Sequence, residues 1–163
     1  MNSQKLRHLA AEIVVWGNRN FGDKKDSAIG VAEESGELAH CILKRIQGIR
    51  GFDNPTYFKE QAGDALADTC VYLLHLCGDK GFELEAPDIV SGTVRTLLTE
   101  CMKAASRLLD TDSLEHAQGV LDMTASMAVA LEIDLEAVLD TTWASVMQRD
   151  WLANPVSAHA QQS

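Results

Sequence analysis

An all-α fold, a helical bundle of about six helices, is what this sequence predicts, and three observations carry the prediction. Apolar residues recur at three- and four-residue intervals along most of the chain. No stretch alternates in the two-residue rhythm of a half-buried strand, and no Gly-rich phosphate loop is present. The connections between the periodic stretches are short, as in bundles. A chain of 163 residues with 46% hydrophobic content suits one domain with a sizeable interior, expected over 1–154, followed by a disordered tail over 155–163.

The first helix is expected over 4–17, where Leu6, Leu9, Ala10, Ile13 and Val14 share helical spacing, and Gly17 marks its end. A polar, turn-rich stretch follows, and Asp26 or Ser27 can cap the next helix. That helix, from Gly30 through Lys44, carries Val31, Leu38, Ile42 and Ile46 on an apolar side. Asn54 or Thr56 starts a third helix after the loop 47–56, and from Glu60 to Cys77 it is apolar over most of its circumference, the pattern of a buried helix. Gly78 and Gly81 close it, and Pro87 stands at the next boundary. Residues 91–109 and 114–131 make a further helical hairpin about the turn 110–113, and 134–151 give the last helix, with Leu135, Val138, Leu139, Val146 and Met147 as its apolar side.

Acidic residues single out 30–77. At about 100° per residue, Glu34 and Glu37 lie on one side of the second helix with Glu33 at its margin. Taken alone, such a run is as readily a solvated face. Asp64 and Asp68 change that reading, because they form one stripe, continued by His75, on a helix otherwise apolar. Like charges about 4 Å apart repel by roughly 4 kcal/mol at an effective dielectric near 20. Gathered carboxylates must therefore be protonated or held by cations, and a hard divalent metal with oxygen ligands, Mg²⁺ above others, is the simplest remedy.

The run Ala-Glu-Glu-Ser-Gly-Glu-Leu (32–38), followed by Asp-Ala-Leu-Ala-Asp-Thr-Cys-Val-Tyr-Leu-Leu (64–74), resembles the MazG-like all-α nucleoside triphosphate pyrophosphohydrolases. Their pattern is E-E-x-x-E, a loop, then E-x-x-D. Glu33, Glu34 and Glu37 match the first half in full. The second half departs from it: with Asp68 as the family aspartate, the expected glutamate falls on Ala65, and Asp64 one residue earlier can supply the carboxylate. In the other register Asp64 is the aspartate and Gln61 takes the glutamate position, with Glu60 beside it. The stretches 43–51 and 142–151 are similar to the phage and bacterial branch of that family, whereas 86–132 is not covered.

The resemblance implies Mg²⁺-dependent cleavage of a nucleoside triphosphate, ribo or deoxy, between the α and β phosphates, giving the monophosphate and pyrophosphate, an activity suited to house-cleaning of the nucleotide pool. Glu34, Glu37, Asp68 and Asp64 would hold one or two Mg²⁺, with Mn²⁺ as a substitute, and Glu33 and Glu34 would serve catalysis, Glu33 by orienting or deprotonating water. Lys44, Arg50 and Arg149 would steady the phosphates, and Trp16 with Phe21 would wall a base pocket. Packing between helices is the simpler account of either aromatic, and Lys44 can instead offset a helix dipole. A homodimer or higher homo-oligomer is expected, since family members commonly bind nucleotide at a subunit contact. Residues 98–109 can also be laid over 32–43, so that Glu100 falls on Glu34 and Lys103 on Glu37, while in the partner helix Asp122 falls on Asp68 and Gln118 on Asp64. A degenerate second copy of the acidic hairpin would align in this way, but two amphipathic helices often align by chance.

Other classes are disfavoured. A net charge of −10 argues against nucleic acid as the partner. Cys41, Cys70, Cys77 and Cys101 lack C-x-x-C spacing and sit in apolar patterns, as buried thiols of a reducing, cytoplasmic setting do. No signal or membrane-spanning stretch is visible. Glu37 and His40 make one Glu-x-x-His element, but a di-iron bundle needs two. The remaining alternative is a helical oligomer that binds nucleotide or a protein partner without catalysis, its site eroded at Ala65.

Overall fold

The computed structural model of the chain describes residues 1–22 and 26–153, and within them every regular element is a helix. They are α1 (Ser3–Phe21), α2 (Ser27–Gln47), α3 (Pro55–Lys80), α4 (Val94–Asp110), α5 (Leu114–Ala130) and α6 (Leu135–Val146). The tail expected over 155–163 lies outside the described residues. Among the described residues no helix is long and apolar enough to cross a membrane.

Each helix begins where a polar side chain can take up a free N–H of the first turn. Asn2, Asp26, Asn54, Thr93, Ser113 and Asp134 all accept such a bond. Gly48 and Gly81, both with left-handed backbone, end α2 and α3. Three boundaries differ from the sequence expectation. Gly17 does not end α1, which runs on to Phe21, and Gly30 lies inside α2. A Cβ at Gly17 would stand 2.1 Å from His75 Nε2, and one at Gly30 would stand 2.4 Å from the Tyr72 ring. Both glycines therefore admit side chains of α3. The last helix stops at Val146 rather than 151, because the N–H groups of Gln148 and Arg149 turn back to the Ser145 and Val146 carbonyls. Asp150 then captures the N–H groups of Leu152 and Ala153 in a tight turn.

Helix α3 is the hub. It packs against α1, α2, α5 and α6, and Leu66, Cys70, Leu73, Leu74 and Cys77 are each 1% exposed or less. The two helical hairpins are α2 with α3 and α4 with α5, and α2 also leans on α4. On α2, Val31, Leu38 and Ile42 are buried as expected, but Ile46 is 78% exposed. All four cysteines are buried and unbridged.

The two connections are anchored by polar side chains. The Arg45 guanidinium donates to the carbonyls of Phe52 and Asp53 and lies over the Phe58 ring, which pins the α2–α3 loop. Residues 82–93 form no helix, so their backbone N–H groups need other acceptors. Gln118, Asp122 and Ser126, one turn apart along α5, accept from Glu85, Asp88 and Val90 at 2.9, 3.1 and 2.9 Å. Leu84, 3% exposed, anchors this strap from below.

Candidate active site

A cleft of about 510 Å³ opens where α1, α2, α3 and the segment after α6 meet. Its acidic wall is Glu33, Glu34 and Asp68, with Arg149 facing them. Its aromatic wall is Trp16, Phe21, Tyr72 and Trp151. The hairpin α2–α3 creates the first wall: antiparallel neighbours place the second turn of one helix beside the middle of the other. The aromatic wall is held by its own contacts. Trp16 meets Phe21 and Trp143 edge-on, with centroids 5.5 and 5.9 Å apart. Trp16 Nε1 donates to the Arg149 carbonyl at 3.2 Å, and the Trp151 N–H donates to Asn20 Oδ1 at 2.8 Å. These two bonds tie the segment after α6 to α1 and so bring Arg149 to the acids.

The charge of the acidic wall is offset only in part, by Arg149. Among the described residues, Glu33, Glu34, Glu37, Asp64 and Asp68 have no hydrogen-bond or ion-pair partner. Glu34 is only 9% exposed. Its burial, then the charges of Asp68, Glu37, Glu33 and Asp64, push its carboxyl up from 4.5 to about 8. Burial likewise raises Asp68 from 3.8 to about 6, helped by Asp64 and resisted by Arg149. Glu37 and Asp64 thus act on the buried pair through space, although they stand outside the cleft lining. The Tyr72 hydroxyl is raised as well, by burial and then by Glu34.

Compared with protein-family models, with curated proteins and with solved structures, the chain matches none. What the site can do is therefore read from its own geometry.

Of the residues singled out in the sequence as site candidates, Glu33, Glu34, Asp68, Arg149, Trp16 and Phe21 line the cleft. Lys44 and Arg50 do not. Lys44 lies ten residues beyond Glu34, about 15 Å along the helix axis, and donates to Gln47 at 3.1 Å. Arg50 is exposed in the α2–α3 loop with φ of 58°. Glu60, the alternative donor, is exposed near the start of α3. His40 is exposed and meets the Phe52 ring edge-on. Sequence reading missed Tyr72, Ser27 and His75 as cleft residues. The signal that could have found Tyr72 and His75 is the pair of glycines inside otherwise continuous helical patterns, at 17 and 30.

Among the described residues, no three His, Cys, Asp or Glu side chains lie close enough together to hold a metal ion. The donor chemistry nonetheless suits a hard divalent cation. All the donors are carboxylate oxygens, they carry surplus negative charge, and the mutual repulsion that raises Glu34 and Asp68 is what a bound cation would relieve. Glu34 and Asp68 are the residues that could hold one, and the charges of Glu37 and Asp64 reach them.

Proposed function

We propose that the protein is a Mg²⁺-dependent nucleoside triphosphate pyrophosphohydrolase, acting on ribo or deoxy substrates. The observation that carries this reading is one cleft in which partnerless carboxylates face an arginine and adjoin an aromatic wall. A nucleotide needs a place for a polyphosphate, which acids can serve only through a cation, and a place for a flat base. Held by Glu34 and Asp68, with Glu37 and Asp64 adding their charge from outside the cleft lining, Mg²⁺ would neutralise phosphate charge and acidify a water molecule. The chain's own residues do the rest. Glu33, exposed at the cleft edge, accepts the proton of the water that attacks the α-phosphorus. The bond to the bridging oxygen breaks, pyrophosphate leaves, and the Arg149 guanidinium steadies its charge. Trp16 and Tyr72 flank the base and keep water from that end of the cleft.

The test is pyrophosphate release from a panel of nucleoside triphosphates with and without Mg²⁺ or Mn²⁺. Turnover that needs the metal and disappears in Glu34→Gln supports the enzyme. One observation favours a second reading, a non-catalytic nucleotide-binding oligomer: Ala65, 3% exposed, occupies the position where the E-x-x-D pattern has a glutamate. Tight nucleotide binding without product would select it.

Self-association belongs to the proposal. Leu43 and Ile46 on α2 and Met102 and Leu109 on α4 are exposed apolar side chains on helices that pack together, a surface suited to a second copy. Sedimentation of the purified chain tests this, and a monomer at tens of micromolar overturns it. The four buried free thiols suit a reducing, cytoplasmic compartment, where nucleotide-pool cleansing would take place.

A further inference from the structure

The cleft has a second polar feature that the hydrolytic reading does not use. Ser27, the first residue of α2, and His75 of α3 both line it, and Ser27 Oγ lies 2.7 Å from His75 Nδ1. His75 is 6% exposed. Its ring fits because Gly17 presents no side chain where a Cβ would be 2.1 Å from Nε2. A glycine inside a helix is less favourable than alanine, so an imidazole here is accommodated at the expense of α1.

Position along the hairpin says what the pair can meet. Ser27 stands seven residues before Glu34, and His75 stands seven residues after Asp68. The two helices are antiparallel neighbours, so both displacements run in the same direction, about 10 Å along the axis. The Ser27–His75 pair is therefore one cleft-length away from the acids, beside Phe21 and Asp26. That separation matches the span of a nucleotide from its α-phosphate to the far edge of its base.

Resting on the reading of the cleft as a nucleotide site, we infer that Ser27, its hydroxyl oriented by His75, hydrogen-bonds the edge of the bound nucleobase and sets which base the protein prefers. His75 is the positioning residue. When its Nδ1 carries the proton it donates to Ser27 Oγ, and the hydroxyl proton is free to point at the ligand. When Nδ1 is bare it accepts that proton, and the oxygen's lone pairs face the ligand. A hydrogen-bonding group in a water-poor cleft discriminates strongly against a partner of the wrong polarity.

The experiment is titration calorimetry of the full chain with ATP, GTP, CTP and UTP, with Ca²⁺ in place of Mg²⁺, for the wild type, Ser27→Ala, Ser27→Thr and His75→Gln. Pyrophosphate release with Mg²⁺ is measured in parallel. The wild type is expected to prefer one base, and Ser27→Ala to compress the ratio of best to worst dissociation constant by about tenfold. Ser27→Thr, which keeps the hydroxyl, retains the ratio, and His75→Gln compresses it with the thermal melt still cooperative. A uniform loss of affinity for all four nucleotides in Ser27→Ala overturns the inference, as does a wild type without base preference. Base-selective binding with no pyrophosphate released overturns the hydrolase and leaves the inference standing. No nucleotide bound at all overturns both.

Discussion

The two helical hairpins of this protein treat charge in opposite ways. In α4–α5 every polar group aligned with the acids of α2–α3 has found a partner: Glu100 pairs with Lys103 at 2.8 Å, and the Asp122 carboxylate accepts from Gln118 Nε2 at 2.9 Å and from the Asp88 N–H at 3.1 Å. In α2–α3 the five carboxylates have none among the described residues, and two of them hold their protons far above the ordinary range. A fold with no use for those acids could have satisfied them as the second hairpin does. Charge left largely uncompensated at a partly dry surface is a cost that a ligand can offset, and this contrast is what makes α2–α3 the candidate site.

The largest test of the contrast is catalytic. Glu34→Gln is expected to lower pyrophosphate release on the order of 10³-fold, whereas Glu100→Gln, at the position aligned with Glu34, leaves the rate within about twofold because it loses only an exposed ion pair. Equal effects from the two substitutions would erase the distinction between the hairpins.

Stability against pH sharpens it next. Glu34 ionises near 8 when folded and near 4.5 otherwise, so between those values the folded chain keeps a proton that the unfolded chain has released. Stability must then fall as pH rises through that window, by on the order of a few kcal/mol, and level off above it. Asp68 adds a loss of the same sign between 3.8 and about 6. Glu100 and Glu136, whose carboxyls are held low by Lys103 and by the N-terminal amine, act with opposite sign and only below the window. Urea titrations in EDTA at pH 5.5 and 8.5 should show the drop, Glu34→Gln should remove most of it, and saturating Mg²⁺ should offset it at pH 8.5. A chain equally stable at both pH values in EDTA contradicts the electrostatic account.

Glycines give a smaller comparison. Gly30→Ala sets a methyl against the Tyr72 ring and is expected to destabilise by about 1–3 kcal/mol, with weaker nucleotide binding as the ring is displaced. Gly119→Ala in α5 meets nothing within 4 Å and should stabilise by up to about 1 kcal/mol. Thermal melts of the two variants decide it. Smallest of all, Asp122→Ala removes the acceptor for the Asp88 N–H and should cost about 1 kcal/mol while leaving turnover untouched, so lost activity in that variant would place function in the second hairpin too.

The helices were legible because periodicity and caps are local: Asp26 and Asn54 start α2 and α3 as their types suggest, and the apolar circumference of α3 does mark a hub. The acidic stripe was legible for the same reason. What escaped depended on distant partners. Gly17 looks like a helix end, and only the arrival of His75 from α3 gives it another purpose. Lys44 and Arg50 follow the acids closely in sequence, yet a helix carries Lys44 away at about 1.5 Å per residue and the loop leaves Arg50 exposed. Arg149 reaches the cleft not as the end of a helix but through two hydrogen bonds from α1 and its neighbours in a turn.

The central place of α3 decides which part of the molecule is free to adjust. Clamped by α1, α2, α5 and α6, it cannot shift without disturbing most of the core. Among the described elements helix α2 packs against α3 and α4, and Leu43 and Ile46 on it are exposed. Were the proposed cation to draw the carboxylates together, the less enclosed α2 with Glu33, Glu34 and Glu37 would be the part to move, and Asp68 on α3 would be the fixed anvil it moves against.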